Sequence, residues 1–247
     1  MKIDYEYIVL GLGGLGAGAV YWLSRRAGAE VLGLEQFEIG HVRGGSQDHS
    51  RIIRKSYHTP VYVRLAQQAY QAWAVLEAEA AEKLIVKTGG LDFAPRDSAI
   101  PLSDYMRSMQ AGGVPFEYLD AAELMRRWPQ LRLSDDIHGL YQPDGGIAPA
   151  AKCNAAHLRM AQANGATLIT NTPITKIRPA NGEVEVTAGG VTYRCRKLIM
   201  AAGAWSNQIL AHFLGRPLRL PRERGEKFSP PSQGGVGGGF SPPPRRG

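Results

Sequence analysis

The opening 35 residues constrain the fold more than any other part of the chain. A short apolar run, Tyr7–Leu10, is followed at once by a glycine-rich turn, Gly11–Gly16. Apolar residues at helical spacing then run from Ala17 to Leu23, and a second apolar run, Val31–Leu34, ends on Glu35. This order of strand, glycine turn, helix, strand and acid predicts the first βαβ unit of a dinucleotide-binding fold. The alternative is a flexible glycine turn, which a chain with 30 glycines can produce by chance.

Each residue type in this unit suits the binding of a dinucleotide for a physical reason. We expect Gly11 to allow the tight turn out of the strand and Gly16 to let the helix pack closely on the sheet. Gly13 has no side chain, so a diphosphate can approach the backbone, and Gly14 is predicted to belong to the same binding turn. Free N–H groups and the positive dipole end at the helix start favour that diphosphate. Glu35 lies 19 residues after Gly16, where a carboxylate can accept hydrogen bonds from the adenosine ribose.

The positive charge of the chain is concentrated near its C-terminus. The net charge is +7, and the segment from Arg216 onward contributes +5 of it, from seven Lys/Arg and two Glu. The remainder carries only +2, so a basic patch for nucleic acid is not predicted. Only Phe228 and Phe240 offer aromatic rings among the charges of the tail, which also disfavours nucleic-acid binding. We therefore expect no nucleic-acid partner.

The cysteine and histidine content argues against a disulfide framework and against a metal site. Cys153 and Cys195 are the only cysteines, and the six histidines show no metal-ligand spacing. We expect two reduced thiols in or near the core and no bound metal. The first apolar run has the length of a strand, and no apolar stretch approaches the length of a membrane span. We accordingly expect no signal peptide, no membrane span and a cytoplasmic location.

Beyond residue 35 the chain alternates between irregular, helical and strand patterns. Residues 36–58 are irregular and polar, and a long amphipathic helix is predicted from about Val61 to Lys83. Its expected buried face comprises Leu65, Ala69, Ala72, Trp73 and Leu76. Short helices are predicted at 102–112 and 120–128, the second with a capping box from Asp120 to Glu123. Strand patterns occur at 91–94, 139–146 (ending in a turn), 167–170, 174–177, 184–187, 191–195 and 198–201.

Two further segments carry clear local signals. Pro149 opens a predicted helix that ends at the pair Asn164-Gly165, and another helix is predicted to begin near Ser206. Residues 225–247 contain seven Gly and five Pro in 23 positions, with no Leu or Ile. Such a stretch buries too little apolar surface to offset the entropy of ordering it, so we expect it to be disordered.

Four blocks together resemble a known family of flavoenzymes. They are the Gly11–Gly16 turn with Glu35, residues 45–57, residues 87–91 and residues 198–205. Over about residues 5–220 the chain resembles the N-terminal portion of the monomeric sarcosine oxidase and N-methyltryptophan oxidase group, within the D-amino-acid oxidase superfamily of FAD enzymes. The second and fourth blocks are the specific ones, since a nicotinamide dehydrogenase would share only the first.

The resemblance implies an α/β fold with two domains. A Rossmann-like FAD-binding domain is expected from residues 1–88 and 148–220, with part of a smaller α+β substrate domain at 89–147. Residues 221–247 are the expected disordered Gly/Pro/Arg tail. In the family, the rest of the substrate domain, the flavin-linked cysteine and further catalytic residues lie C-terminal to this region. We therefore interpret the chain as C-terminally truncated.

The resemblance also implies roles for individual residues. Arg51 would lie beside the isoalloxazine ring, and Arg54 would pair with the substrate carboxylate, a task suited to the guanidinium fork. The implied cofactor-binding residues are Gly11, Gly13, Gly14, Gly16, Glu35, Ser46, Arg51, Ile174, Ala202 and Gly203. The alternative for the two arginines is a pair of solvated charges at an exposed strand edge. His49 matches no family histidine with certainty and is equally well a polar loop residue.

The function implied by the resemblance is the FAD-dependent oxidation of a C–N bond. The substrate would be a secondary amine or an N-methyl amino acid, with oxygen as the second substrate and hydrogen peroxide as a product. Relatives of full length are expected to be monomeric. The alternative is a truncated fragment that binds FAD or adenine nucleotide and has no catalytic activity.

Overall fold

A computed structural model describes residues 3–180 and 182–214. Its strands are β1 (Ile3–Leu10), β2 (Val31–Leu34), β3 (Arg51–Ile53), β4 (Val86–Lys87), β5 (Gly90–Pro95), β6 (Glu117–Asp120), β7 (Ile137–Gln142), β8 (Gly146–Ala148), β9 (Thr167–Ile169), β10 (Ile174–Ala180), β11 (Glu183–Ala188) and β12 (Val191–Met200). Its α-helices are α1 (Gly14–Ala27), α2 (Pro60–Ala80), α3 (Leu102–Ala111), α4 (Ala121–Arg127), α5 (Ala150–Ala163) and α6 (Ser206–Leu214). The predicted α/β class is confirmed.

A six-stranded sheet forms the centre of the structure, in the order β10-β11-β12-β1-β2-β9. The strands β12, β1, β2 and β9 are parallel to one another, and β10 and β11 join as antiparallel strands at one edge. Strand β1 is covered on both faces, because Ile8, Val9 and Leu10 are all fully buried. Val9 packs with α1 and α5 on one face, whereas Ile8 and Leu10 pack on the other. The βαβ unit predicted from the first 35 residues is therefore present.

Two smaller antiparallel sheets accompany the main one. The first has the order β3-β8-β4, and the second has the order β5-β7-β6. The second sheet takes all its strands from residues 90–142, and α3 and α4 lie in the same stretch. Half of the predicted capping box is present: the Asp120 carboxylate accepts a 2.8 Å hydrogen bond from the backbone N–H of Glu123 at the start of α4, whereas the Glu123 carboxylate accepts hydrogen bonds from Arg126 and Arg127.

The structure corrects three details of the predicted elements. The strand patterns at 191–195 and 198–201 form one continuous strand, β12, which pairs with β11 through its first half and with β1 along most of its length. The region 36–58 is not wholly irregular, because it contains β3. The expected face of α2 is buried only in part: Leu76 is fully buried and Trp73 packs against the same core cluster, but Leu65 is 57% exposed. Val63 is fully buried against Met109 and Val114 instead, a contact with α3 that periodicity within α2 alone cannot determine.

The two cysteines are buried and free, as expected. Burial raises the pKa of the Cys153 thiol and of the Cys195 thiol to about 11 each. Within the described residues there is no group of three or more His, Cys, Asp or Glu that could hold a metal ion. None of the helices described is long and apolar enough to cross a membrane. The predicted tail at 221–247 and the last residues of the 148–220 segment lie outside the described residues.

Candidate functional site

A cavity of about 840 Å³ opens where β1 and β2 end. Backbone hydrogen bonds tie these ends together: the N–H of Gly11 donates to the carbonyl oxygen of Leu34, and the N–H of Ala201 donates to that of Leu10, each at 2.8 Å. The cavity wall comprises residues 11–15, 34–36, 38–42, 44–49, 151, 154–155, 173–174, 200–206 and 208–209. Open α/β folds bind ligands at the carboxyl ends of their parallel strands, and this volume is typical of a cofactor site.

Gly11 and Gly16 are glycines for steric reasons that the geometry makes explicit. Gly11 has φ +88°, and a Cβ placed on it would lie 2.7 Å from the carbonyl oxygen of Ala201. A Cβ on Gly16 would lie only 1.7 Å from the carbonyl oxygen of Gly11. Neither position admits a side chain, so the tight turn and the close helix packing predicted for them are both present.

Gly13 and Gly14 leave the start of α1 open. Gly13 is the N-cap residue, in extended conformation and without a side-chain cap. The backbone N–H of Gly14 donates to the hydroxyl oxygen of Ser46 at 2.8 Å, and among the described residues Ser46 is also the neighbour that a Cβ at either glycine would meet within 4 Å. A small hydroxyl therefore covers a helix N-terminus, which is a natural site for a phosphate oxygen.

Glu35 is buried at the end of β2, with 6% of its surface exposed. Its Oε2 accepts a 2.8 Å hydrogen bond from the backbone N–H of Leu12, and its Oε1 accepts a 3.2 Å hydrogen bond from the N–H of Phe37. A carboxylate has about four acceptor positions, so it retains capacity for ligand hydroxyl groups. The hydrogen bond to Leu12 thus connects Glu35 to the glycine turn, across 23 positions of sequence.

His41 is a residue of this site that the sequence analysis did not identify. Its Nε2 lies 3.7 Å from Oε1 of Glu35, and its ring packs edge-on against Phe37 with centroids 4.9 Å apart. Phe37 in turn packs edge-on against Trp205, at 5.6 Å. A histidine six positions after the acid carries no sequence signal of its own. Only the fold of the 36–45 segment brings it back to Glu35.

The predicted site residues Ile174, Ala202 and Gly203 all belong to the cavity wall. Ile174 begins β10, while Ala202 and Gly203 follow the end of β12. His49 also lines the cavity. It follows Asp48, whose φ of +100° is unusual for a residue other than glycine. The described contacts assign His49 no chemical role.

Arg51 is not among the residues that line the cavity; it organises the loop that does. Its guanidinium donates to the carbonyl oxygens of Gly45, Gln47 and Ser50. Three carbonyl partners suit the planar fork of an arginine, which offers five N–H donors in fixed directions. Arg51 thereby closes the 45–50 loop that carries Ser46 towards α1.

Arg54 lies in a separate polar cluster. Its guanidinium forms an ion pair and hydrogen bond with the carboxylate of Asp92 on β5, and the Ser56 hydroxyl donates to the other carboxylate oxygen. The guanidinium carbon also lies 5.1 Å from the centroid of the Tyr57 ring. Arg54, which was predicted to pair with a substrate carboxylate, is therefore paired with the carboxylate of Asp92 instead.

A parallel sheet, a glycine turn at a helix N-terminus and a buried acid at the next strand end define a dinucleotide-binding protein. The family comparison agrees and is more specific. The model of the DAO family, described as FAD dependent oxidoreductase, matches residues 6–229. The chain belongs to this family.

The relatives that resemble this chain include sarcosine oxidases and N-methyl-L-tryptophan oxidases. It is 37% identical over 231 residues to a monomeric sarcosine oxidase of Streptomyces avermitilis, which covers 93% of this chain and 59% of that protein. It is 32% identical over 218 residues to an N-methyl-L-tryptophan oxidase of Salmonella arizonae, which covers 88% of this chain and 58% of that protein. The chain thus spans little more than half the length of these relatives.

Solved structures show the same fold. The open form of NikD, described as an unusual amino acid oxidase essential for nikkomycin biosynthesis, matches with a TM-score of 0.75 and 30% identity, over 84% of this chain and 53% of that one. An L-proline dehydrogenase of P. horikoshii matches with a TM-score of 0.76 and 22% identity, over 86% of this chain and 56% of that one, which establishes likeness of fold alone.

Proposed function

We propose that this chain binds FAD in the 840 Å³ cavity and serves the oxidation of a C–N bond in a secondary amine or an N-methyl amino acid. The observation that supports the proposal most directly is the conjunction of the glycine-lined α1 N-terminus with buried Glu35 in one cavity. The similarity to sarcosine and N-methyl-L-tryptophan oxidases supports the substrate class. Bound FAD supplies the two-electron acceptor, with oxygen as the terminal acceptor and hydrogen peroxide as a product.

The residues of the chain divide this work. The backbone N–H groups of Gly13 and Gly14 bind the diphosphate, and Glu35 binds the adenosine ribose hydroxyls. Gly11 and Gly16 shape the turn. Ile174, Ala202 and Gly203 form the wall against the cofactor, and Ser46 comes from the loop that closes the site.

The two arginines take separate tasks in the proposal. Arg51 keeps the 45–50 loop closed through its three carbonyl partners and places a fixed positive charge beside the flavin, which favours its electron-rich reduced form. Arg54 pairs with the carboxylate of the substrate, in exchange with Asp92.

The proposal also divides the chain into two domains. Residues 1–88 and 148–220 form the FAD-binding domain, and residues 89–147 contribute the substrate side. That the β5-β7-β6 sheet is drawn wholly from residues 90–142 supports this division. The proposed partners are a small amine or amino acid and oxygen, and the proposed location is the cytoplasm.

A second candidate function is nucleotide binding without turnover. The ion pair of Arg54 with Asp92 favours it, because the group that should bind the substrate carboxylate is already neutralised. Two measurements on the purified chain separate the candidates. Isothermal titration with FAD and ADP tests the cofactor site, and a peroxide-coupled assay with sarcosine and other N-methyl amino acids tests turnover. Binding with peroxide formation supports the oxidase, binding alone supports the second candidate, and no binding contradicts both.

A further inference from the structure

Asn154 links helix α5 to the glycine turn across 142 positions of sequence. Its side-chain Nδ2 donates a 3.1 Å hydrogen bond to the backbone carbonyl oxygen of Leu12. The residue lies one turn into α5 and belongs to the wall of the cavity. Nothing in the βαβ pattern of the first 35 residues points to a contact from so distant a helix.

The two peptide groups that flank Leu12 are held from opposite sides. The Gly11–Leu12 peptide is held by Glu35, which accepts the Leu12 N–H at 2.8 Å. The Leu12–Gly13 peptide is held by Asn154 through the Leu12 carbonyl oxygen. Because a trans peptide is planar, fixing this carbonyl also fixes the direction of the Gly13 N–H on the other side of the same group. As a glycine, the N-cap residue Gly13 brings no side chain that could fix this peptide instead.

The other half of the Asn154 amide has no partner. Oδ1 of Asn154 is buried without a hydrogen bond among the described residues. Most buried polar atoms are paired, and an unpaired one lowers the stability of a folded chain. The unpaired oxygen belongs to a residue of the cavity wall, which favours a role in binding over a role in stability alone.

We propose that Asn154 is a positioning residue of the dinucleotide site, which holds the Leu12–Gly13 peptide with its N–H directed for a diphosphate. This inference rests on the proposed nucleotide site and adds to it a residue outside the βαβ unit. It requires that the affinity for ligands with a diphosphate depends on Asn154. The affinity for adenosine, which Glu35 would bind through the ribose, must not depend on Asn154.

The experiment compares two variants with a matched control on the same helix. Asn154→Leu removes both polar groups at nearly constant size, and Asn154→Asp keeps the shape but loses the donor to the Leu12 carbonyl. Asn164→Leu is the control, because Asn164 also joins α5 to α1, through a 3.3 Å hydrogen bond to Oγ of Ser24, and is not part of the cavity wall. The dissociation constants of ADP, FAD and adenosine are measured by isothermal titration, and thermal unfolding is followed without ligand.

We expect both Asn154 variants to bind ADP and FAD about tenfold more weakly, with adenosine binding within about twofold of the unaltered chain. Asn154→Leu should unfold within about 3 °C of the unaltered chain, and Asn164→Leu should leave all three affinities unchanged. Equal ADP affinity in the unaltered chain and the two Asn154 variants would overturn the inference alone. Parallel losses for ADP and adenosine would also overturn it, since they indicate a general structural effect. Absence of ADP and FAD binding by the unaltered chain would overturn the proposed function together with the inference.

Discussion

The hydroxyl oxygen of Ser46 accepts a 2.8 Å hydrogen bond from the backbone N–H of Gly14, at the first residue of α1. Ser46 therefore occupies the position at which a helix N-terminus binds a phosphate oxygen. The loop that carries it is closed by Arg51 through three backbone carbonyl oxygens. A side chain of the site thus imitates one contact of the proposed ligand.

Replacing Ser46 tests this imitation. Ser46→Ala should raise the affinity for ADP, by up to about 1 kcal/mol or fivefold, because binding no longer breaks the hydrogen bond to Gly14. Isothermal titration provides the measurement. Ser206→Ala is the control, since Ser206 lines the same cavity but donates to the carbonyl oxygen of Gly203. Weaker ADP binding by Ser46→Ala would show instead that the hydroxyl contacts the ligand.

Glu35 should dominate the binding of the adenosine half. Glu35→Ala removes the acceptor for ribose hydroxyls and the partner of the Leu12 N–H, and should cost about 1.5–3 kcal/mol in FAD affinity. Glu38→Gln is the matched control, because Glu38 also lines the cavity but is exposed, and it should change the affinity by less than about 0.5 kcal/mol. Retention of unaltered FAD affinity by Glu35→Ala would exclude the proposed ribose contact.

The ion pair between Arg54 and Asp92 sets how strongly a substrate carboxylate must compete. The two side chains are 34% and 22% exposed, so solvent screens the interaction and its coupling should be about 1 kcal/mol. A double-mutant cycle of Arg54→Gln and Asp92→Asn, followed by urea unfolding, measures this coupling. A coupling near zero would mean that Arg54 is free to bind substrate without any loss elsewhere. If the chain proves active, Arg54→Lys should mainly raise KM.

His157 should make the stability of the fold depend on pH. It is buried between the rings of Tyr21 and Trp73, and burial lowers its pKa to about 4. The unfolded chain takes up the proton near pH 6.5, whereas the folded chain takes it up only near pH 4. The free energy of unfolding therefore has its full value above pH 6.5 and falls as the pH is lowered from 6.5 to 4. The loss should reach about 3 kcal/mol at the lower end.

Urea unfolding at several pH values between 7 and 4 measures this effect. The carboxylates of the chain also titrate towards the acidic end of the range, so His157→Gln serves as the reference that retains them. The variant should show a smaller loss of stability between pH 6.5 and 5 than the unaltered chain. Identical pH profiles for the two would show that folding does not lower the pKa of His157.

Features set by neighbouring residues were predictable. The glycine turn, the helix between β1 and β2, the Asp120 cap and the limits of α5 follow from sterics, periodicity and capping over a few positions. The acid at the end of β2 followed from the same local pattern. These rules act within one turn of helix or one strand, so residues distant in sequence do not affect them.

Contacts between distant segments were decided by the tertiary structure. Ser46 reaches Gly14 across 32 positions, Asn154 reaches Leu12 across 142, and Asp92 neutralises Arg54 across 38. Packing on α3 buried Val63 and left Leu65 exposed on α2. Each of these contacts is stabilised only after the sheets and helices have packed, because packing decides which surfaces meet. The sequence by itself determined the dinucleotide-binding unit and its family, and packing decided which side chains complete the site.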